Sequence, residues 1–278
     1  MSEFDVPVAE TTAMKRVMEL LESVAPGKMP ILFYGPAGVG KSFWARFVHS
    51  KSSFADGRFI RFSCGCIDRE DLISALNERC TLYLQDFSQL HPELQGILFN
   101  ALNKERVNFR LIVSSRRSLE SLVGTKIASK LYYAVSIIPV EIPALSGRKE
   151  DIMALSNVFI KKYSTMYKKN LSLISPRDLR SFCDTYWKAN VRGLRDFIEL
   201  TFRTREIDDL TDISSLLPNQ QPFGGRFLPL KDAMDKFRKE YVTEILVATN
   251  WNKTRASEIL KVQRTYLPKL IANLDIKK

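Results

Sequence analysis

A chain of 278 residues, 45% apolar and 26% charged, is long enough for two or three packed units. Its net charge of +11 suits a polyanionic partner, which makes nucleic acid a candidate without selecting it. There is no apolar run of about eighteen residues, and the acidic start MSEFDVPVAE lacks the basic and then apolar pattern of a signal peptide. No membrane partner is expected, and a cytoplasmic location is. Cys64, Cys66, Cys80 and Cys183 form no C-x-x-C pair and have no histidine nearby, so reduced core thiols are expected.

In chain order, MKRVMELLESV places Met14, Val17, Met18 and Leu21 on one face of a first helix. MPILFYG then reads as a buried strand, and RFIRFSC, TLYLQDF, RLIVSS and SIIPVEIP follow with helical stretches such as ELQGILFNALNK between them. Strands alternating with helices argue for a parallel α/β sheet. After Arg148 only amphipathic helical segments appear, EDIMALSNVFIKKYS, SPRDLRSFCDTYW with Ser175 as cap and Pro176 behind it, and VRGLRDFIELTFRTR. Residues 207–229 are rich in polar, Pro and Gly residues and read as a linker. Beyond it, LKDAMDKFRKEYVTEILVAT sets Leu230, Met234, Phe237, Tyr241 and Ile245 on one stripe, and two short helices follow. The boundaries are therefore 1–147, 148–206, 207–229 and 230–278.

The strand MPILFY leads into GPAGVGKS, which satisfies G-x-x-x-x-G-K-[ST] and opens a helix. The loop of Gly35, Pro36, Ala37, Gly38, Val39 and Gly40 is expected to wrap phosphates with its backbone N–H groups. Lys41 would reach the outer phosphates, and Ser42 would ligate magnesium. ATP or ADP, with Mg2+ as companion, is the ligand this motif implies.

Four stretches carry a resemblance to a known family: AMKRVMELLESVAPGKMPILFYGPAGVGKS, TLYLQDFSQLHPELQGILFNALNK, LYYAVSIIPVEIPALSGRKEDI and YWKANVRGLRDFIE. The chain resembles the bacterial enhancer-binding proteins, the NtrC-like AAA+ activators of sigma-54 RNA polymerase. The resemblance implies an AAA+ P-loop sheet with a helical lid, a ring-forming ATPase and Arg192 as the lid's sensor arginine. It starts within about the first dozen residues, so no receiver or sensory domain is expected ahead of it.

Departures fall on the parts that carry chemistry. The family's Walker B Asp-Glu pair becomes Gln85-Asp86, leaving Asp86 as the one catalytic candidate and, with Ser42, the expected metal ligand. Its two candidate arginine fingers fall at Ala128 and Ala134, and its Thr-Asn pair after the next strand becomes Ser115-Arg116. An arginine finger is worth ~10³ to 10⁵ in rate, so these losses predict impaired hydrolysis. The sigma-contact loop is replaced by the short DREDLISALNERC, so remodelling of sigma-54 polymerase is not expected.

The tail NWNKTRASEILKVQRTYLPKLIANLDI is similar to the Fis-type helix-turn-helix that closes most family members. Asn252 reads as an N-cap, and Ala256, Ile259 and Leu260 as core-facing. Gln263, Arg264, Thr265, Tyr266 and Lys269 are the candidate base readers, with Lys253, Thr254 and Arg255 nearer phosphate. Pro268 is tolerable if its helix starts near Thr265 or Tyr266. From Leu228 onward Lys and Arg outnumber Asp and Glu by eleven to six, which suits a surface facing phosphate. The resemblance implies double-stranded DNA and a homodimer or higher oligomer as partners, and RNA polymerase or a paralogous activator as further ones.

The expected function is a DNA-binding transcriptional regulator with a nucleotide-binding, hydrolysis-impaired AAA+ domain. Two alternatives stay open: an active AAA+ ATPase working as an activator in a homo- or hetero-oligomeric ring, and a nucleoid-like DNA packager. His49 and His91 receive no role. Lys161, Lys162, Lys168 and Lys169 form a basic patch, and Trp44, Trp187 and Trp251 read as packing residues.

Overall fold

The computed structural model describes residues 7–169, 176–204 and, further on, 234, 238–239, 241–243, 245–246, 249, 251–262 and 266–274. The chain divides into two units, Met1–Asn219 and Gln220–Lys278.

The first unit is built on five parallel strands: β1 (Ile31–Tyr34), β2 (Arg58–Ser63), β3 (Cys80–Gln85), β4 (Phe109–Ser115) and β5 (Ile138–Glu141), in the order β2-β3-β4-β1-β5. Alternation along each strand sends side chains to opposite faces. Leu32, Leu82, Leu84, Leu111 and Val113 join one core with Leu72 of α3 (Arg69–Asn77), Leu98 of α4 (Pro92–Leu102) and Leu131 of α5 (Ser129–Val135). Ile31, Phe33, Tyr83 and Ile112 join the other with Met14 and Leu21 of α1 (Thr12–Val24) and with Trp44 and Val48 of α2 (Lys41–Ser50). Every residue of β4 is buried, as its central place and near-continuous apolar sequence require. The strand order sets β1 and β3 on either side of β4, so the loop after β1 meets the ends of β3 and β4 at one edge of the sheet, where ligands of such folds bind.

One buried polar contact and one exposed helix cap brace this layer. Arg110 of β4 donates through Nη1 to the carbonyl of Ala25 and through Nη2 to that of Val24 at 3.0 Å, satisfying the C-terminal end of α1. Asp68 caps α3, its Oδ1 accepting from the Asp71 N–H at 2.8 Å.

The helical segment is α6 (Lys149–Tyr167), α7 (Pro176–Asp184) and α8 (Asn190–Thr204). It has a core of its own, in which Ile152, Ile160, Phe182, Trp187, Leu194 and Ile198 are buried. Ser175, the expected cap of α7, lies outside the described residues. Fully buried Asp151 of α6 accepts from the N–H groups of Glu10 at 2.7 Å and Thr11 at 2.9 Å, so a lid carboxylate caps the start of α1.

In the second unit, Val242, Leu246, Ala256 and Leu267 are buried around α9 (Lys253–Ile259) and α10 (Tyr266–Asn273). Asn252 caps α9, its Oδ1 accepting from the N–H groups of Thr254 at 3.1 Å and Arg255 at 3.2 Å. The connection bends at Lys261, whose φ of 50° is left-handed, the conformation a glycine would supply at this turn. Pro268 falls in the first turn of α10, as the sequence required.

Three expectations are corrected. Ile259 is 49% exposed because seven-residue α9 turns Ala256 and Ser257 inward instead. Met234 and Tyr241 are each 46% exposed, whereas Val242 and Leu246, one position on from Tyr241 and Ile245, are buried apolar residues of that stretch. Leu230 and Phe237 of the same stripe, and the linker 207–229, lie outside the described residues. Cys64 and Cys80 are buried thiols, with pKa values pushed up by burial to about 12 and about 11, but Cys66 is exposed.

A candidate phosphate-binding cleft

The loop Gly35–Ser42 follows β1 and opens α2, and two of its glycines are demanded by close backbone approach. A Cβ at Gly35 (φ 142°) would lie 2.2 Å from the Ile142 carbonyl oxygen, and one at Gly38 (φ 79°) 2.0 Å from that of Ala189. The lid binds the carbonyls of three consecutive loop residues. Asn190 Nδ2 donates to Ala37 O at 2.8 Å, the Arg192 N–H to Gly38 O at 3.1 Å, and Arg148 Nη2 to Val39 O at 2.8 Å. The carbonyl side of the loop is thus tied down, an arrangement that lets its N–H groups meet anions.

Lys41 folds back over the loop, donating to Gly35 O at 2.6 Å and Pro36 O at 2.8 Å. Burial lowers its pKa to about 8; Asp86 opposes the shift, and the neighbouring Arg116 and Arg192 add to it. Loop and lid enclose a cleft of 390 Å³, into which Gln85, Asp86, Arg61 and Arg116 also project.

The ends of β3 and β4 form the opposite wall. Asp86 takes a left-handed backbone (φ 55°), and its Oδ1 accepts from Arg116 Nε at 3.4 Å. Ser42 Oγ lies 3.3 Å from the hydroxyl of buried Tyr83, which lies 2.8 Å from Ser114 Oγ. The cradle fits the phosphates of a nucleotide, with the loop, Lys41 and Arg192 lining one cavity. Magnesium fits poorly. Beside the phosphates and water it takes one or two protein carboxylates, whereas Gln85 is neutral, the one carboxylate, Asp86, is engaged by Arg116, and Ser42 is in contact with Tyr83. Among the described residues no group of three His, Cys, Asp or Glu side chains could hold a metal.

All the cleft residues singled out from sequence between Ala37 and Ser42, with Asp86 and Arg192, line this space. Gly35 and Pro36 enter through the carbonyls that Lys41 binds. Ala128 and Ala134 are not among its lining residues; the Ala128 N–H donates to Gln95 Oε1 at 2.9 Å. Sequence reasoning missed Arg61, Tyr83, Arg148 and Asn190. Tyr83, Arg148 and Asn190 lie inside the quoted family-like stretches, a signal that could have marked them, whereas Arg61 lies in none of the four. In the second unit Lys253, Arg255, Tyr266 and Lys269 are exposed and Thr254 is half-buried, whereas Gln263, Arg264 and Thr265 lie outside the described residues. No helix among the described residues is long and apolar enough to cross a membrane.

Comparison with known proteins adds a family to this geometry. Residues 8–145 match the Sigma-54 interaction domain, and residues 146–221 match the AAA+ ATPase lid domain. An uncharacterized protein encoded in the HyuA 5′ region of Pseudomonas sp. (strain NS671) is 30% identical over 88% of this chain and 97% of its own length. The phenol regulator MopR of Acinetobacter guillouiae is 25% identical over 94% of this chain, which spans 54% of it. The crystal structure of NtrX from Brucella abortus in complex with ADP superposes with a TM-score of 0.68 at 27% identity, covering 98% of this chain and 69% of that one. NtrX in complex with ATP gives the same TM-score of 0.68 at 26% identity, over 99% and 70% of the two chains. With its five-stranded parallel sheet, its lid-bound phosphate loop and these relatives, the chain belongs to the family of sigma-54 interaction AAA+ domains with their lid, homologous to the NtrC-like transcriptional activators.

Proposed function

We propose that this chain is a DNA-binding transcriptional regulator whose AAA+ part, core 1–147 and lid 148–206, binds ATP or ADP and hydrolyses ATP poorly or not at all. The observation that carries this reading is the asymmetry of the cleft. Its loop half keeps Lys41 and three lid-bound carbonyls, whereas its β3–β4 half offers a single carboxylate, Asp86, already paired with Arg116. The NtrX complexes with ADP and ATP support nucleotide as the ligand, and nucleotide then acts as a structural or regulatory ligand. Bound at ~1,000 times its dissociation constant, it would stabilise the fold by about 4 kcal/mol without chemistry.

The DNA-reading part is 230–278, a Fis-type helix-turn-helix joined by the linker 207–229. Its support is the capped α9, the left-handed Lys261 and the exposure of Lys253, Arg255, Tyr266 and Lys269 near the N-terminal ends of two short helices. Base reading falls to Gln263, Arg264, Thr265, Tyr266 and Lys269, phosphate contact to Lys253, Thr254 and Arg255, on double-stranded DNA and as a homodimer or higher oligomer.

A phosphate-release assay on the full chain, with Lys41→Ala as control, tests the catalytic half of this reading. Background rates in both are expected. Turnover that disappears in Lys41→Ala favours instead an active ring ATPase using Asp86, with RNA polymerase or a paralogous activator as partner. Genome-wide mapping of bound sites tests the other half. Discrete sites lost on Arg264→Ala are expected, and uniform, salt-sensitive coverage would point to a packager.

A further inference from the structure

The β3–β4 wall of the cleft has changed its electrostatic character. Arg61 on β2 and Arg116 after β4 both line the cavity, together with Lys41, Lys162 and Arg192, whereas the one carboxylate there is Asp86. A P-loop site of ordinary composition carries acidic side chains opposite the phosphates, and a divalent cation must neutralise that repulsion. Here the residue at the end of β3 is a neutral amide and the remaining carboxylate, Asp86, is paired with Arg116, so little of that repulsion is left to screen. Arg116 holds Asp86 through Nε alone, at 3.4 Å. Its guanidinium is planar and its two Nη groups form a fork suited to two phosphate oxygens. Magnesium, at about 2.1 Å from its ligands, would instead have to displace the Tyr83 hydroxyl from Ser42 and Arg116 from Asp86.

Resting on the reading that this cleft binds nucleotide, we propose that it takes the nucleoside di- or triphosphate without a divalent cation, Arg116 and Arg61 supplying the charge a metal would. The position of Arg116 beside Lys41 agrees with this, since its charge helps to hold the Lys41 ammonium below its usual range. Positive charge fixed in the protein and a neutral Gln85 make the bound phosphates indifferent to chelators. The site then follows nucleotide level alone, and not the magnesium that normally travels with ATP.

The test is titration of the full-length chain with ATP and ADP by calorimetry, in excess Mg2+ and again in EDTA. Dissociation constants agreeing within about 3-fold between the two buffers are expected, because the charges that bind phosphate are the protein's own. ATP binding weakened about 10-fold or more in EDTA overturns the proposal but leaves nucleotide binding intact. No binding in either buffer overturns the nucleotide reading and this one with it. Two variants with unchanged thermal unfolding sharpen the result. Arg116→Ala is expected to weaken ATP binding in EDTA by about 10-fold, the loss of one charge-assisted contact. Gln85→Asp is expected to make binding depend on Mg2+ by a similar factor, since a carboxylate facing phosphate needs a cation between them. Wild-type affinity in Arg116→Ala, or equal affinity in both buffers for Gln85→Asp, would sink the assignment.

Discussion

The two walls of the cleft are held in different ways. The loop wall is fixed by buried polar contacts from the lid: Arg148 and Asp151 are 2% and 0% exposed, and Asn190 bridges Leu145 and Ala37. The β3–β4 wall ends in an ion pair whose arginine is 67% exposed. A buried network fixes geometry because leaving any member unpaired is costly, whereas an exposed pair is free to exchange partners. The loop wall, which is the candidate phosphate cradle, is thus rigid, and the β3–β4 wall opposite it is adaptable.

The largest effect is expected at Asp151. Asp151→Ala leaves the Arg148 guanidinium buried, with its carboxylate partner at 3.8 Å removed and two N–H groups at the start of α1 uncapped. A loss of about 3–5 kcal/mol in urea unfolding is expected. Next comes Gly38→Ala, where a Cβ within 2.0 Å of the Ala189 carbonyl must push loop and lid apart. About 10- to 100-fold weaker nucleotide binding is expected, and unchanged affinity would mean that the lid contact does not shape the cradle.

A pH series sharpens the loop wall further. Lys41, with its pKa lowered to about 8 by burial, is charged at pH 7 and loses its proton as pH rises through 8. Phosphate binding needs the ammonium, so affinity should be flat below pH 8 and fall towards about tenfold per pH unit above it, with proton uptake on binding. Calorimetry in buffers of different ionisation enthalpy measures that uptake. The smallest effect belongs to the opposite wall. Arg116→Ala should change unfolding free energy by no more than about 1 kcal/mol, the range of exposed pairs, even where it changes nucleotide affinity.

Much of this was legible in the sequence because it is local. The phosphate loop is one contiguous motif, each strand is a short apolar run with turn residues around it, and the Asn252 cap acts over two and three residues. The walls of the cleft were less legible because their contacts join distant positions. Asp86 meets Arg116 across 30 residues, and Arg148 and Asn190 reach the loop across 109 and 153. Tyr83 reads as one more apolar strand residue, and only tertiary structure puts its hydroxyl between Ser42 and Ser114. Ile259 was misplaced for a related reason: a seven-residue helix is too short for its pattern to fix which face is buried, and packing against Leu267 decides.

The cap that Asp151 provides for α1 also has a consequence in time. Glu10 and its acceptor are 141 residues apart, and at about 5–20 residues per second of synthesis that separation is on the order of ten seconds. The first helix therefore leaves the ribosome with its leading N–H groups open, and they gain their Asp151 acceptor only once α6 emerges.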